Sequence, residues 1–161
     1  MKLFHSAIVI AAVTTFATSA SAQNATQNVT FEVAAINEIS VSGGAQSLLI
    51  NSATAGSAPT SASATVSWAV TTNESNRKIT AQLDEDMSAN VTLTANMAAP
   101  TSGVSGGAKA LSLTSAQDMV TSIDTQDASG LSLVYTLSAT SAAGVVASDV
   151  RIVTYTILSG I

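Results

Sequence analysis

Histidine and cysteine, the side chains most often used for nucleophilic and metal chemistry, are nearly absent from this chain. It has no cysteine, and its single histidine is His5. Beyond residue 22 it therefore offers no imidazole base, no Ser-His-Asp triad, no thiolate and no common transition-metal ligand. Gly103-Val104-Ser105-Gly106-Gly107 has the spacing Gly-x-Ser-x-Gly, but without a histidine base its serine is not an activated nucleophile, and the segment is interpreted as a flexible loop. The chain also lacks a phosphate-binding loop. We expect no catalytic residues, no cofactor and no enzymatic activity.

Carboxylates are the remaining groups suited to acid-base or metal chemistry, and Asp84, Glu85 and Asp86 form the one acidic cluster. Glycosidases use paired carboxylates, but the aromatic residues beyond residue 22 alternate with polar neighbours, which favours core burial over a sugar platform. These aromatic residues are Phe31, Trp68, Tyr135 and Tyr155. The cluster is a weak candidate for Ca²⁺ because it lacks EF-hand spacing, and a solvated acidic turn is the favoured interpretation.

Asn-x-Ser/Thr triplets, the acceptor motif for N-glycosylation, occur at Asn24, Asn28, Asn73 and Asn90. A chain this rich in Ser and Thr is expected to contain some of these triplets by chance, so the number found is only slightly above the chance expectation. The four asparagines are candidate glycosylation sites, above all Asn24 and Asn28 near the terminus.

The first 22 residues have the three parts of a secretory signal. Lys2 provides the positive charge, Ala7–Val13 opens an apolar run, and Ala20-Ser21-Ala22 provides a small-x-small cleavage site. Threonine and serine interrupt the run before it reaches the roughly 20 residues of a membrane span. We expect cleavage before Gln23, a single domain over residues 23–161 without a membrane span, and a secreted protein, extracellular or on the cell surface.

The charge balance excludes two classes of partner. Beyond Lys2 the basic residues are Arg77, Lys78, Lys109 and Arg151, against ten acidic residues. Nucleic-acid binding and polybasic membrane docking both need clustered Lys and Arg, so neither is expected. Charged residues are only 9% of the chain, where about 25% is usual. Such a surface repels copies of itself weakly and tolerates self-association.

Period-2 alternation of Val, Ile, Leu and Thr predicts an all-β protein, an antiparallel β-sandwich of about eight to ten strands, Ig-like or jelly-roll-like. The clear strands are Val66–Thr71, Ile79–Asp84, Val91–Asn96, Leu131–Thr140 and Val150–Leu158. Weaker strands are predicted at Ser47–Asn51 and Ala110–Thr114, and Ala116–Ile123 fits a strand or a short helix. Turn residues cluster at Ser42–Gly44, Ala55–Pro59, Asn73–Asn76, Pro100–Gly107 and Asp127–Gly130.

The segment from Val29 to Val41 also alternates, over an unusual length. Its apolar face carries Val29, Phe31, Val33, Ala35, Ile39 and Val41. A strand of this length spans roughly 43 Å, whereas a domain of this size has a radius of gyration of about 14 Å. Residues 23–41 are therefore either a first strand that bends near Asn37 and crosses between sheets, or a donor strand that also engages a neighbouring molecule.

The signal, the alternating segment Asn28–Val33 and the terminal strand ending near Leu158 together resemble bacterial pilins assembled by donor-strand exchange. In that family the N-terminal extension completes the sandwich of the next subunit. The resemblance implies a structural subunit of an extracellular filament, fimbria or surface layer, a homopolymer whose partners are copies of itself. A monomeric exported module that binds a glycan or a protein is the alternative.

Overall fold

Strands with alternating burial build the fold, which the computed structural model describes over residues 22–160. In the strand Ala62–Thr72, for example, Val66, Trp68 and Val70 are buried and the residues between them are more exposed. Successive side chains of a strand point to opposite faces of the sheet. One face of this strand therefore builds the core, and the other presents mainly Ser and Thr to solvent.

Within the described residues nine strands form two antiparallel sheets. The strands are β1 (Asn37–Val41), β2 (Ala62–Thr72), β3 (Arg77–Leu83), β4 (Val91–Met97), β5 (Val104–Ser105), β6 (Lys109–Ala110), β7 (Gln117–Ile123), β8 (Gln126–Ala139) and β9 (Val153–Ser159). The order is β1-β2-β8-β4-β6 in one sheet and β5-β7-β3-β9 in the other. The predicted all-β antiparallel sandwich is confirmed. The sandwich belongs to the unit Val33–Ile161.

Several predicted element boundaries were wrong. Ser47–Asn51 forms no strand, and only Lys109–Ala110 is a strand where Ala110–Thr114 was expected. Ala116–Ile123 proves to be a strand, β7, and β5 lies inside the predicted loop Pro100–Gly107. These segments are short or lie at sheet edges, where pairing with a neighbour decides the conformation more than local alternation does.

A bulge at Ser129 and Gly130 lies within Asp127–Gly130, where the sequence predicts a turn. These residues belong to β8. Between Trp68 and Val70 the strand β2 advances two residues while β8 advances three, which is a bulge in β8. Gly130 has a φ of 68°, which glycine adopts without steric cost. The turn prediction was wrong because bulges and turns use the same residue types, and only the partner strand distinguishes them.

One lateral side of the sandwich, the closed side, is covered by the segment Val104–Leu113. Its strand β5 pairs with β7 in one sheet, and its strand β6 pairs with β4 in the other. The Gly106 N–H donates to the Met119 carbonyl at 2.7 Å, and the Leu111 N–H donates to the Leu93 carbonyl at 2.9 Å. Leu111 and Met119 are buried. The segment therefore joins the two sheets and seals the core along this side.

The predicted signal peptide lies outside the described residues except for Ala22, and its cleavage stays a prediction, as does the single domain over residues 23–161. Across residues 22–160 we find no helix with the length and apolar character needed to cross a membrane.

Candidate functional site

The lateral side opposite the closed side, the open side, ends in unpaired strand edges. It is bounded by β1 and β9, and among residues 22–160 no strand pairs with the outer edge of either. Such an edge exposes N–H and C=O groups that can pair with another chain. With seven residues, β9 is longer than β1, which has five, and than the two-residue strands β5 and β6.

The core-facing side chains of β9 are incompletely covered. Val153, Tyr155 and Ile157 pack against the core but are only half-buried, whereas Met119 and Ile123 of β7 in the same sheet are fully buried. Both strands contribute side chains to the same core. The difference lies in their neighbours, because β7 has a strand on each side and β9 has only β3. A further strand beside β9 would cover this apolar surface.

The two ends of the sandwich hold the ends of different strands. At one end, the root end, Asn37 pairs with Thr72 and Arg77 pairs with Ser159. At the other, the cavity end, Leu83 pairs with Val153, the first residue of β9. The chain therefore enters β1 at the root end, and β9 begins at the cavity end.

Two adjoining cavities of about 220 and 820 Å³ lie at the cavity end and share the lining residues Leu48 and Arg151. The cavities form because β1 pairs with β2 only from Trp68 to Thr72. Beside the rest of β2 the chain forms loops, which leave space unfilled. Apolar groups that line the smaller cavity belong to Val41, Leu48, Val66, Leu93, Tyr135 and Val153. The larger is lined in part by Leu48, Ile50, Met87, Val91, Leu137 and Val146. The open side thus leads into incompletely filled space with both apolar and polar lining.

The N-terminal arm, residues 22–36, forms no strand. The side chains of Val29, Phe31 and Val33 are 76%, 89% and 78% exposed. Two expectations were therefore wrong: the strand starts at Asn37 and not at Val29, and Phe31 is not a core residue. Alternation alone cannot tell a strand within a sheet from a segment of the same pattern that lacks a partner.

The six residues of the predicted interface strand fall into two groups. Val29, Phe31, Val33 and Ala35 lie in the arm and are exposed. Ile39 and Val41 lie in β1, opposite Val70 and Trp68 of the same chain, and Ile39 packs against the core. Only the first group offers apolar side chains that the sandwich itself does not use.

Hydrogen bonds hold the root of the arm to the turn between β2 and β3. Asn73 Nδ2 donates to the Ala34 carbonyl at 2.8 Å, and the Ile36 N–H donates to Asn73 Oδ1 at 2.7 Å. The Asn73 N–H donates to the Ile36 carbonyl at 3.2 Å. The side chain of Asn73 thus replaces a strand partner for residues that have none. The sequence predicts a turn at Asn73–Asn76 but gives no sign of this role, because it depends on a contact 39 residues away.

A polar network continues from this contact into β1. Thr72 Oγ1 donates to Asn37 Oδ1 at 2.8 Å, Asn37 Nδ2 donates to the Glu74 carboxylate, and Glu74 pairs with Arg77. The hydrogen bond from Asn37, followed by that from Arg77, lowers the pKa of Glu74. The network keeps the start of β1 at the root end.

The residues of the acidic cluster form hydrogen bonds and an ion pair with other groups of the protein. Asp84 Oδ1 accepts the Ile152 N–H at 2.9 Å, the Asp86 carbonyl accepts from Arg151 Nε at 3.1 Å, and the Glu85 carboxylate lies 3.8 Å from the Arg151 guanidinium. No group of three or more His, Cys, Asp or Glu side chains within residues 22–160 is placed to hold a metal ion. The cluster ties the connection after β3 to the residues that lead into β9.

Arg151, on the wall of both cavities, is already paired. Its guanidinium lies 2.6 Å from the Asp149 carboxylate, which also accepts the Val150 N–H at 2.8 Å. The backbone hydrogen bond, followed by Arg151, lowers the pKa of Asp149. Arg151 therefore serves the local fold.

A pair of tyrosines links the two sheets near the open side. Tyr155 of β9 donates its hydroxyl to the Tyr135 hydroxyl of β8 at 2.8 Å. Burial raises the pKa of both phenols, and the contact with Tyr135 adds to the increase for Tyr155. Both aromatic rings are half-buried and their hydroxyl groups bond to each other, so neither tyrosine presents an open ring face to a sugar.

The four candidate glycosylation asparagines are all exposed, but their side chains differ in use. Asn24 and Asn28 lie in the arm. Asn73 binds the arm root as described, and Asn90 donates weakly to the Ala142 carbonyl at 3.4 Å with a φ of 64°. Glycosylation at each of the four stays a prediction.

No protein-family model, no curated protein and no solved structure matches this chain. The features of the structure that bear on its function are the open side, the cavities and the arm.

Proposed function

We propose that this protein is a structural subunit of an extracellular filament, fimbria or surface layer, and that its copies join by β-strand addition. Residues Val29–Val33 of one copy are the donor, and the outer edge of β9 in the next copy is the acceptor. The observation that carries the proposal is the half-buried state of Val153, Tyr155 and Ile157 on the longest unpaired edge.

The two partners have complementary patterns. The donor presents the apolar residues Val29, Phe31 and Val33 at alternate positions. In the acceptor, alternate apolar residues of β9 are not covered by a neighbouring strand. Burial of a large apolar side chain contributes about 1.5–3 kcal/mol, and backbone hydrogen bonds along β9 add to the affinity. The low charge of the chain, 9%, keeps the repulsion between copies small.

The placement of the two partners favours a growing chain over a closed dimer. The arm root is fixed at the root end, whereas the cavities open beside the start of β9 at the cavity end. When donor and acceptor are different surfaces, the contact is heterologous, and it grows into a filament unless a rotation closes the ring. Head-to-tail growth is therefore the expected mode of assembly.

Deletion of Gln23–Val33 tests the proposal. The deleted side chains are exposed, so we expect the shortened protein to keep the melting temperature of the dilute full chain. Size-exclusion chromatography and negative-stain microscopy should show multimers of the full chain and monomers of the shortened one, which should bind a synthetic peptide of the missing segment. A full chain that stays monomeric at high concentration would overturn the proposal.

A single substitution gives a finer test of the donor. Phe31→Asp places a charge on the apolar face of the arm and should abolish multimers, whereas Thr30→Asp places the same charge on the opposite face and should retain most of them. Neither change should alter the melting temperature of dilute protein, because both residues are exposed. Equal loss of assembly in the two variants would show that general repulsion, and not the apolar face, is responsible.

The larger cavity favours a second candidate, a monomeric exported binding module. Its volume of about 820 Å³ lies within the usual range for small-molecule sites, and its aliphatic lining suits an apolar ligand better than a glycan. Calorimetric binding of an aliphatic ligand by a strictly monomeric protein would favour this function over assembly.

A further inference from the structure

Asn73 bonds to Ala34 and Ile36, which lie in no strand. It is an exposed residue of the β2–β3 turn, yet three hydrogen bonds of 2.7–3.2 Å join it to Ala34 and Ile36. Its side-chain amide presents one acceptor and one donor, as a residue of a neighbouring strand does with its backbone. Upstream of this contact, Val33 is 78% exposed.

We propose that Asn73 is a positioning residue for assembly, which fixes where the donor segment begins. This inference rests on the proposed function. With Ala34 and Ile36 held at the root end, only the residues before Ala34 must be ordered when the donor pairs with β9 of the next copy. Fixing part of a ligand in its bound conformation lowers the entropic cost of binding. Loss of the Asn73 side chain lengthens the segment that must be ordered and slows assembly.

Asn73 is also the asparagine of a glycosylation triplet, Asn73-Glu74-Ser75, and this supplies a matched control. Asn73→Ala removes both the contact with the arm and the triplet, whereas Ser75→Ala removes the triplet and keeps the contact. If Asn73 acts by holding Ala34 and Ile36, only the first substitution has an effect. If it acts through an attached glycan, the two have the same effect.

The experiment measures hydrogen exchange and assembly on the same purified proteins. In dilute Asn73→Ala protein, the Ile36 amide should exchange faster, since its acceptor is Asn73 Oδ1, while the melting temperature stays close to that of the parent chain. Assembly of the concentrated protein, followed by light scattering, should slow by about five- to thirtyfold, the range expected for the net loss of the two side-chain hydrogen bonds of Asn73. Ser75→Ala should match the parent chain in all three measurements.

Two results would overturn the inference while leaving strand addition intact: unchanged assembly in Asn73→Ala, or equal slowing in Ser75→Ala. Failure of the proposed function looks different, because the parent chain would then neither assemble nor, after deletion of Gln23–Val33, bind the peptide. In that case a role of Asn73 in assembly is overturned as well, and the exchange rate of the Ile36 amide reports only its contact with the arm root.

Discussion

The closed and open sides of the sandwich end the same two sheets in different ways. On the closed side the edge strands β5 and β6 have two residues each, and the segment that contains them bonds to both sheets. On the open side β9 presents seven residues without a partner, and β1 presents five. Short and covered edges protect a β-protein from unwanted pairing, and only the closed side has this protection.

The difference extends into the core. Met119, next to the closed side, is completely buried, whereas Ile157, next to the open side, is half-buried. Within one molecule a long exposed edge is a liability, but in the proposed assembly it is the surface to which the next subunit would bind. Substitutions on each side of the sandwich test this contrast.

The largest expected effect compares one apolar residue on each side. Met119→Ala should lower the free energy of unfolding by about 3 kcal/mol, because it leaves a cavity in a sealed core. Ile157→Ala should lower it by about 1–2 kcal/mol, because its side chain is already partly exposed to solvent. Urea denaturation of dilute protein measures both. Equal losses would mean that the open side is as well packed as the closed side.

An intermediate effect comes from damage to the closed side itself. A Cβ at Gly106 would overlap the carbonyl oxygen of Asp118, so Gly106→Ala should cost about 1–3 kcal/mol and speed exchange of the Gly106 amide. Ala108→Ser adds one heavy atom at an exposed position of the same loop and should change neither quantity. If Gly106→Ala is equally neutral, this contact does not seal the closed side.

A smaller effect should follow from removing the bridge between Tyr155 and Tyr135 near the open side. Tyr155→Phe deletes one hydrogen bond and should cost about 1 kcal/mol at neutral pH. Because both folded pKa values are raised above the usual value of about 10, phenols ionise first in the unfolded chain, and stability should fall as the pH rises above about 10.

Melting curves at increasing pH, together with phenolate absorbance, check this prediction. Tyr155→Phe should lose less stability between neutral and alkaline pH than the parent chain does, since one of the two groups is gone. If the stability of the variant falls with rising pH as steeply as that of the parent chain, the prediction is wrong. Tyr135→Phe is the matched control, because it removes the other half of the same pair.

The smallest effect concerns the residues that lead into β9. The lowered pKa of Asp149 means that its contribution to stability is present above the usual value of about 3.9 and is lost as the pH falls toward the lowered one. Asp149→Asn should therefore flatten the decrease in melting temperature at acid pH. Asp127→Asn removes an exposed carboxylate elsewhere and should leave that decrease as it is.

Alternation in the sequence predicts the all-β sandwich and most of the long strands, because a two-residue period is a local property of the chain. The same pattern was misleading where pairing depends on distant residues. Val29 and Phe31 alternate as well as Ile39 does, but only Ile39 lies in a strand, since β2 offers β1 partners only from Trp68 to Thr72.

The composition of the candidate site follows from the sequence alone: an apolar face in the arm, a closing strand with Val153, Tyr155 and Ile157, little charge, and no histidine or cysteine beyond residue 22. Packing of the two sheets is what makes β9 an edge strand, pairs Arg151 with Asp149, and brings Asn73 to the arm root. The physical reason is that edge position, burial and hydrogen-bond partners are set by residues far apart in the sequence, which come together only when the two sheets pack.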